Sequence, residues 1–116
     1  MTLHTGGCHC GAVRYEVEAE LSQAMACNCS ICSKRGHLLS FVPADRFRLL
    51  SGEDRLTDYR FGGKVIHHLF CATCGVGSFA RGAMPDGTPM VALNMRCVDG
   101  VDIGSLSLTP FDGRSL

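Results

Sequence analysis

The chain has 116 residues, which is enough for one hydrophobic core but not for two, so we expect a single domain spanning residues 1–116. Its 46% hydrophobic and 19% charged residues are typical of a folded globular protein and argue against intrinsic disorder. Eleven basic and eleven acidic residues give a formal charge of zero. The basic residues are scattered rather than clustered, so no nucleic-acid partner is expected. A charge near zero also favours self-association, which leaves a homodimer open.

The sequence lacks the features of a secreted or membrane protein. Residues 1–7 contain no basic segment followed by an apolar core, and no apolar run approaches the roughly 20 residues of a membrane-spanning helix. We therefore expect a cytoplasmic protein with no membrane contact. In that reducing compartment the eight cysteines indicate metal binding rather than a disulfide framework, and a disulfide within Cys-x-Cys would close a strained ring.

Short strands separated by turns are predicted along the chain. Val13, Tyr15 and Val17 alternate with charged residues, which is the period-2 pattern of a half-buried strand. Before this strand, glycines at 6, 7 and 11 flank the first cysteines and are expected to free the backbone for a tight metal-binding turn. Further strands are predicted at residues 38–42, 47–50, 56–61, 64–70, 76–80, 90–95 and 105–109. The pair at 56–61 and 64–70 flanks a Gly-Gly dipeptide, which predicts a hairpin.

Helical segments are expected to be brief. Residues 33–36 allow at most one helical turn, ended by Gly36, and residues 44–46 could form a second turn. Helical periodicity is not convincing over any stretch of ten or more residues. The predicted fold class is therefore mainly β, in a single compact domain.

Seven of the eight cysteines lie in three clusters: Cys8 and Cys10; Cys27, Cys29 and Cys32; Cys71 and Cys74. A structural zinc site takes four ligands, so seven thiols divide into a complete set of four and a remainder of three. Spacing alone does not assign partners. We favour pairing the first cluster with the last, because each lies at the end of a predicted strand and one metal would then close a long loop.

Under that assignment Cys27, Cys29 and Cys32 would hold a second ion with three protein ligands. An incomplete shell leaves a position for water or substrate, which is how catalytic zinc differs from structural zinc. Two alternatives remain open: a histidine closes the shell, or the three thiols hold no metal and are redox-sensitive. His37, His67 and His68 are the candidates for a fourth ligand or a proton-transfer group. Strand alternation places His67 and His68 on opposite faces.

Four other residues lie in or near the cysteine motifs or could serve as ligands. His9, between two cysteines, is expected to point outward. Lys34 and Arg35 could attract the carboxylates of an acidic thiol, although a solvated turn is the simpler interpretation. Cys97 stands apart from the clusters and is expected to be a buried strand residue rather than an eighth ligand.

Three ordered motifs carry a resemblance to a known family. They are Gly-Cys-His-Cys-Gly at 7–11, Cys-Asn-Cys-Ser-Ile-Cys at 27–32 and Phe-Cys-Ala-Thr-Cys-Gly at 70–75. Similar flanking segments occur at residues 41–43, 50–54, 94–102 and 111–113. Together these motifs resemble the glutathione-dependent formaldehyde-activating enzyme family, also called the centromere protein V/GFA domain, over nearly the whole chain.

The resemblance implies a compact zinc-binding domain of stacked antiparallel sheets, of the Mss4-like type. It implies structural zinc at Cys8, Cys10, Cys71 and Cys74, and a second, labile zinc at Cys27, Cys29 and Cys32, which would then be the catalytic cysteines. The implied activity is that of a carbon–sulfur lyase acting on a thiol–aldehyde adduct, such as S-(hydroxymethyl)glutathione formed from glutathione and formaldehyde. The small-molecule partner would be a thiol.

Two other functions stay open. The chain could be a non-catalytic zinc-binding or thiol-carrier module, in which the three clustered thiols buffer metal or present a binding surface. Association with chromatin, by analogy with the centromere relative, is disfavoured by the absence of a basic tail.

Overall fold

A computed structural model describes residues 2–63 and 65–115 of the chain. The described residues form ten strands: β1 (Thr2–Gly7), β2 (Arg14–Ala19), β3 (Gln23–Cys27), β4 (Leu38–Pro43), β5 (Phe47–Ser51), β6 (Leu56–Tyr59), β7 (His67–Cys71), β8 (Phe79–Ala83), β9 (Pro89–Asn94) and β10 (Ser107–Phe111). One α-helix, α1, spans Ser30–Arg35, and five short 3-10 turns complete the elements. The prediction of a mainly β fold is confirmed.

The strands form two sheets. β1, β2 and β5 make a three-stranded antiparallel sheet in that spatial order. The other seven follow the order β10-β3-β4-β9-β8-β7-β6. All neighbours in the larger sheet are antiparallel except β10 and β3, which pair in parallel. The expected antiparallel sheets are therefore confirmed, with one parallel pair at this edge, where a long crossover separates the two strands and permits parallel pairing.

A common core joins the two sheets. Tyr15 and Val17 of β2 contribute from the small sheet, and Val91 and Leu93 of β9 contribute from the large one, all fully buried. The aromatic rings of Tyr15, Phe47 and Phe79 lie at its centre, with centroids 4.7–6.0 Å apart. Edge and tilted contacts of this kind add to the stability gained from burying the rings. The period-2 pattern predicted at Val13 to Val17 is confirmed, because its apolar side chains all face this core.

The strand boundaries differ from the predictions mainly where loops intervene. The prediction of a strand at 76–80 is wrong in its limits, since β8 begins only at Phe79, and the last strand begins at Ser107 rather than at 105. β6 and β7 form the predicted hairpin, but residues 60–66 connect them instead of a tight Gly-Gly turn. The predicted start of that second strand, Lys64, lies outside the described residues. Helix α1 also begins earlier than expected and ends at Gly36, whose φ of 70° is left-handed, as predicted.

The three glycines that flank the first cysteines act differently from the prediction. Gly6 and Gly7 belong to β1 and are buried, and among the three glycines only Gly11 has a positive φ, of 84°. A β-carbon at Gly6 would lie 2.5 Å from Tyr15 Oη and 2.6 Å from the Cys97 carbonyl oxygen. Gly6 is therefore needed for close packing of β1 on the core rather than for turn formation.

Within residues 2–63 and 65–115, no helix has the length and apolar character that crossing a bilayer requires.

Candidate metal centres

The first and last cysteine clusters meet at one edge of the two-sheet core. Cys8 and Cys10 follow β1, while Cys71 ends β7 and Cys74 lies in the turn after it. Their four sulfur atoms all lie within 4.8 Å of one another. The Cys10 sulfur is 3.7 Å from those of Cys8 and Cys71. Tetrahedral thiolates bound at about 2.3 Å would have sulfur–sulfur separations of about 3.8 Å, so these residues fit a four-thiolate metal site.

Backbone amides around this cluster stabilise negatively charged sulfur. The Cys71 carbonyl accepts a hydrogen bond from Gly75 N–H at 2.8 Å, which closes the tight turn. Hydrogen bonds from the Val76 and Cys10 backbone N–H groups lower the pKa of the Cys74 thiol to about 6. The Cys74 N–H group likewise lowers the pKa of Cys71. Val13 N–H points at the Cys8 sulfur at 3.3 Å. At Cys71 and Cys74 the turns thus favour the thiolate, which is the form that binds a metal. At Cys10 the Ala12 N–H acts in the same direction, but burial and the neighbouring thiols of Cys8, Cys71 and Cys74 raise its pKa to about 11.

The middle cluster forms a separate group of three thiols. Cys27 is the last residue of β3, Cys29 precedes α1, and Cys32 lies within the helix. Their sulfur atoms are also mutually within 4.8 Å, and all three residues are half-buried. No histidine or carboxylate among the described residues joins this group at that distance. The structure therefore brings together three ligand atoms and leaves one side of the group without a protein ligand from the described chain.

The electrostatics of the three thiols are unequal. Burial raises the pKa of Cys32 to about 12, and the neighbouring thiols of Cys29 and Cys27 add to this rise. For Cys29 burial acts in the same direction, but hydrogen bonds from the Cys32 N–H group and from the neighbouring thiols lower its pKa overall. Cys29 N–H also lies 3.4 Å from the Cys27 sulfur. Loading this group with a cation would relieve the repulsion among its sulfurs.

The C-terminal segment packs directly on this group of thiols. Asn28 N–H donates to the Phe111 carbonyl at 3.1 Å, and the Asn28 side chain donates to Asp112 Oδ1 at 2.9 Å. In return, Arg114 N–H donates to Asn28 Oδ1 at 2.9 Å. A β-carbon at Gly113 would lie only 2.7 Å from the Cys27 sulfur. Asn28 and Gly113 were not predicted as site residues, although the family-like motif at 111–113 was a signal that the C-terminal segment belongs to the site.

A cavity of about 350 Å³ opens beside Cys27, Cys29 and Cys32. Its walls are mainly apolar and come from β3, α1, β4, β7, β8, β9, the segment before β7 and the C-terminal segment. The apolar wall residues include Met25, Ile31, Leu39, Phe41, Phe61, Ile66 and Phe111. These wall residues were not predicted as site residues, because neighbours in the cavity are far apart in sequence.

Three polar side chains of the cavity lie close together. Arg35 and His37 both lie against Gly77, where any β-carbon would overlap the guanidinium and approach His37 Cε1 to 3.0 Å. Burial and the positive charge of Arg35 lower the pKa of His37 to about 4 and also lower the pKa of His68, so both imidazoles are neutral at pH 7. The cavity therefore offers one cation and two neutral imidazoles near the three thiols.

The other candidate residues lie elsewhere. His67 projects from the opposite face of β7 and its Nδ1 lies 2.7 Å from Asp58 Oδ2, which confirms the predicted division between His67 and His68. His9 is exposed, as expected, and Lys34 is exposed on α1. Cys97 belongs to neither group of thiols, and its sulfur lies 3.4 Å from Asn94 Nδ2 in a 3-10 turn rather than in a strand.

Comparison with known proteins agrees with this arrangement. The crystal structure of a Rhodobacter sphaeroides protein has a similar fold, with a TM-score of 0.78 and 32% sequence identity over 90% of this chain and 99% of that chain. Residues 3–108 match the sequence model described as glutathione-dependent formaldehyde-activating enzyme. With a match over nearly its full length and two groups of cysteines able to hold metal ions, the chain belongs to the glutathione-dependent formaldehyde-activating enzyme family.

Proposed function

We propose that this protein catalyses the addition of a small thiol to an aldehyde, and the reverse cleavage, in the cavity beside Cys27, Cys29 and Cys32. The observation that carries the proposal is the division of the thiols: one group of four is complete, and the group of three faces a cavity. Family membership supports glutathione and formaldehyde as the reference substrates. The matched range and the shared core support one domain over residues 1–116.

We propose zinc as the metal at both groups. Thiolate-only sets with tetrahedral spacing are typical of zinc. Cys8, Cys10, Cys71 and Cys74 would hold a structural ion, with Cys8 and Cys71 buried in the core edge. Cys27, Cys29 and Cys32 would hold a second, more labile ion. Free thiol clusters also require a reducing compartment, which supports a cytoplasmic location.

The chemistry requires an activated thiol and a stabilised oxygen. Zinc at the group of three would lower the pKa of an incoming thiol. As the carbon–sulfur bond forms, negative charge develops on the aldehyde oxygen, and the Arg35 guanidinium in the cavity stabilises it. His37 and His68 are neutral and can move the thiol proton to that oxygen. The apolar walls exclude water, which strengthens these electrostatic interactions.

The proposal is tested by metal content and exchange kinetics of Cys29→Ser, with Cys97→Ser as the control. Cys97 is a partly buried cysteine outside both groups, so its replacement tests for unspecific loss of a thiol. We expect two zinc ions per chain in the wild type and in Cys97→Ser, and one in Cys29→Ser. Turnover of glutathione and formaldehyde, measured by NMR exchange above the uncatalysed rate, should fall at least 100-fold in Cys29→Ser only.

Two outcomes would contradict the proposal. Unchanged zinc content and turnover in Cys29→Ser would show that the group of three has no catalytic role. Two tightly held ions in a wild-type protein without turnover would instead favour the non-catalytic zinc-binding or thiol-carrier module.

A further inference from the structure

The cavity beside the three thiols continues into a second cavity of about 270 Å³. The two share four apolar wall residues: Phe41, Ile66, Ala80 and Ala92. The second cavity extends away from the thiols toward Met84 and Met90. Together they form one groove, which we call the apolar groove, with the candidate metal group at one end.

The floor of the apolar groove is built from small residues of β8 and β9. Ala80 and Ala92 are paired across the two strands, and Gly82 pairs with Met90. Strand alternation places these residues on the face opposite Val91 and the core. A β-carbon at Gly82 would meet Ile66 Cγ1 at 3.6 Å, so Ile66 lies over this floor. The small side chains of β8 and β9 thus leave space beneath Ile66 that larger side chains would fill.

The charges lining the groove do not match a strongly polar ligand. Among the described residues, Arg35 is the single charged side chain in the first cavity, and Arg81 is the single one in the second. The Arg81 guanidinium lies over the Phe47 and Phe79 rings, 5.2 and 5.4 Å from their centroids. No carboxylate of the described chain lines either cavity to receive an ammonium group. The groove can pair one anionic group, at Arg35, and otherwise offers apolar contact.

The groove is also larger than a one-carbon aldehyde would fill, because its two parts have volumes of about 350 and 270 Å³. An adduct held by its sulfur at the three thiols would leave the second cavity unfilled if the aldehyde were formaldehyde. Phe41, Ile66 and Met84 are each 49% exposed around that space. Covering them with an apolar substituent would remove this surface from water, which is favourable.

We infer that the apolar groove binds the alkyl or aryl substituent of a larger aldehyde, so that the preferred adduct is the hemithioacetal of an apolar aldehyde. The reaction in this inference rests on the proposed function, whereas binding of the apolar group does not depend on it. In the reaction the sulfur–carbon bond forms, the carbonyl π bond breaks and the thiol proton goes to the oxygen. No oxidant or reductant is needed.

Binding is tested with unreactive thioethers on the zinc-loaded full chain. S-methyl, S-butyl and S-hexyl mercaptoacetate share one carboxylate and differ only in chain length. By calorimetry we expect affinity to rise about two- to fourfold per methylene. Ile66→Asp should abolish this rise, because it places a carboxylate over the apolar floor of the groove. Leu3→Asp is the matched control, because Leu3 is also exposed, at 56%, but lies on β1 away from the groove.

Turnover with aldehydes and thiols of different length assigns the apolar group. With one fixed thiol, kcat/KM for hexanal should exceed that for formaldehyde at least tenfold in the wild type but not in Ile66→Asp. A gain that appears with hexanethiol and formaldehyde, and not with hexanal, would overturn the assignment to the aldehyde. Binding that depends on chain length in a protein without any turnover would support the groove and overturn the proposed reaction.

Other outcomes would overturn the inference itself. Affinity that does not change with chain length, or an Ile66→Asp protein that behaves like Leu3→Asp, would show that the groove takes no apolar ligand. A dimer in sedimentation experiments that dissociates in Ile66→Asp, together with affinity independent of chain length, would show that a second copy of the chain covers the groove instead.

Discussion

Replacing Gly113 with alanine should weaken metal binding at Cys27, Cys29 and Cys32 without affecting the other four cysteines. The added β-carbon would lie 2.7 Å from the Cys27 sulfur and 3.1 Å from the Cys29 β-carbon. Favourable carbon contacts occur at roughly 3.5–4.0 Å, so either the C-terminal turn or the cysteine pair must move by about 1 Å. Gly113 does not have a positive φ, so crowding rather than backbone strain is the perturbation.

The size of the effect follows from this displacement. Overpacking a close contact costs about 1–3 kcal/mol, and changes next to metal ligands typically lower affinity about 10- to 100-fold. A larger effect is not expected, because Phe111 to Arg114 pack on Asn28 at the protein surface and can shift outward. The group of four is built from other elements, the ends of β1 and β7 and the turn after β7, so we expect its affinity to be unaffected.

Competition with a chromophoric chelator gives both affinities in one titration. We expect two classes of zinc in the wild type, and in Gly113→Ala only the weaker class should lose affinity. Gly104→Ala is a suitable control, because its added β-carbon would meet Asp102 Oδ1 at 3.4 Å, an ordinary contact away from the thiols. Equal affinities in all three proteins would refute the close approach of Gly113 to Cys27. Loss of both classes would indicate general unfolding.

Two further predictions concern stability. The hydroxyl of Tyr15 is buried and has no hydrogen-bond partner among the described residues, so Tyr15→Phe should raise the free energy of unfolding by about 1 kcal/mol in urea; a loss of stability would show that the hydroxyl is satisfied. The pKa of His37 in the folded protein, about 4, lies below its ordinary value, so the unfolded chain takes up the proton first and stability falls as the pH drops from about 6.5 toward 4. Because the ring is only half-buried, we expect the free energy of unfolding to fall by about 1 kcal/mol between pH 7 and pH 5, and this loss should be absent in His37→Gln. If urea unfolding gave the same pH dependence of stability for both proteins, this expectation would be contradicted.

The strands that could be predicted are those whose own residues show an alternating or continuous apolar pattern. β2, β4 and β9 were recognised from alternating or continuous apolar residues, and the structure confirms them. β1 and β3 were missed for physical reasons. β1 ends in Gly6 and Gly7, which are poor strand formers. A side chain at Gly6 would collide with the Tyr15 hydroxyl and the Cys97 carbonyl, and one at Gly7 would collide with the Val13 carbonyl. β3 is short and is stabilised by pairing with β4 and with β10 from the far end of the chain.

The division of cysteines could be anticipated, but the surroundings of the site could not. Counting ligands and considering loop closure placed Cys8 and Cys10 with the thiols at 71 and 74, and the structure brings those four together. Their role as zinc ligands stays a prediction. The apolar groove depends on Phe41 of β4 and Ile66 before β7 meeting over a floor from β8 and β9. Such a meeting is set by sheet order, which no local pattern specifies.

The two groups of thiols differ in what holds them, and this difference bears on their functions. Cys8 and Cys71 are 7% and 0% exposed, and backbone hydrogen bonds close the turns that carry them. Removing a metal from this group would therefore leave buried thiolates without a counter-charge. The group at Cys27 to Cys32 lies on a strand end and one short helix, is reached through the cavity, and is covered on one side by a turn at the chain's end. Four thiols can fill the coordination shell at the first group, although Cys10 is exposed, whereas the second group leaves one side open to the cavity. This difference is the arrangement that a reaction at the second group would need.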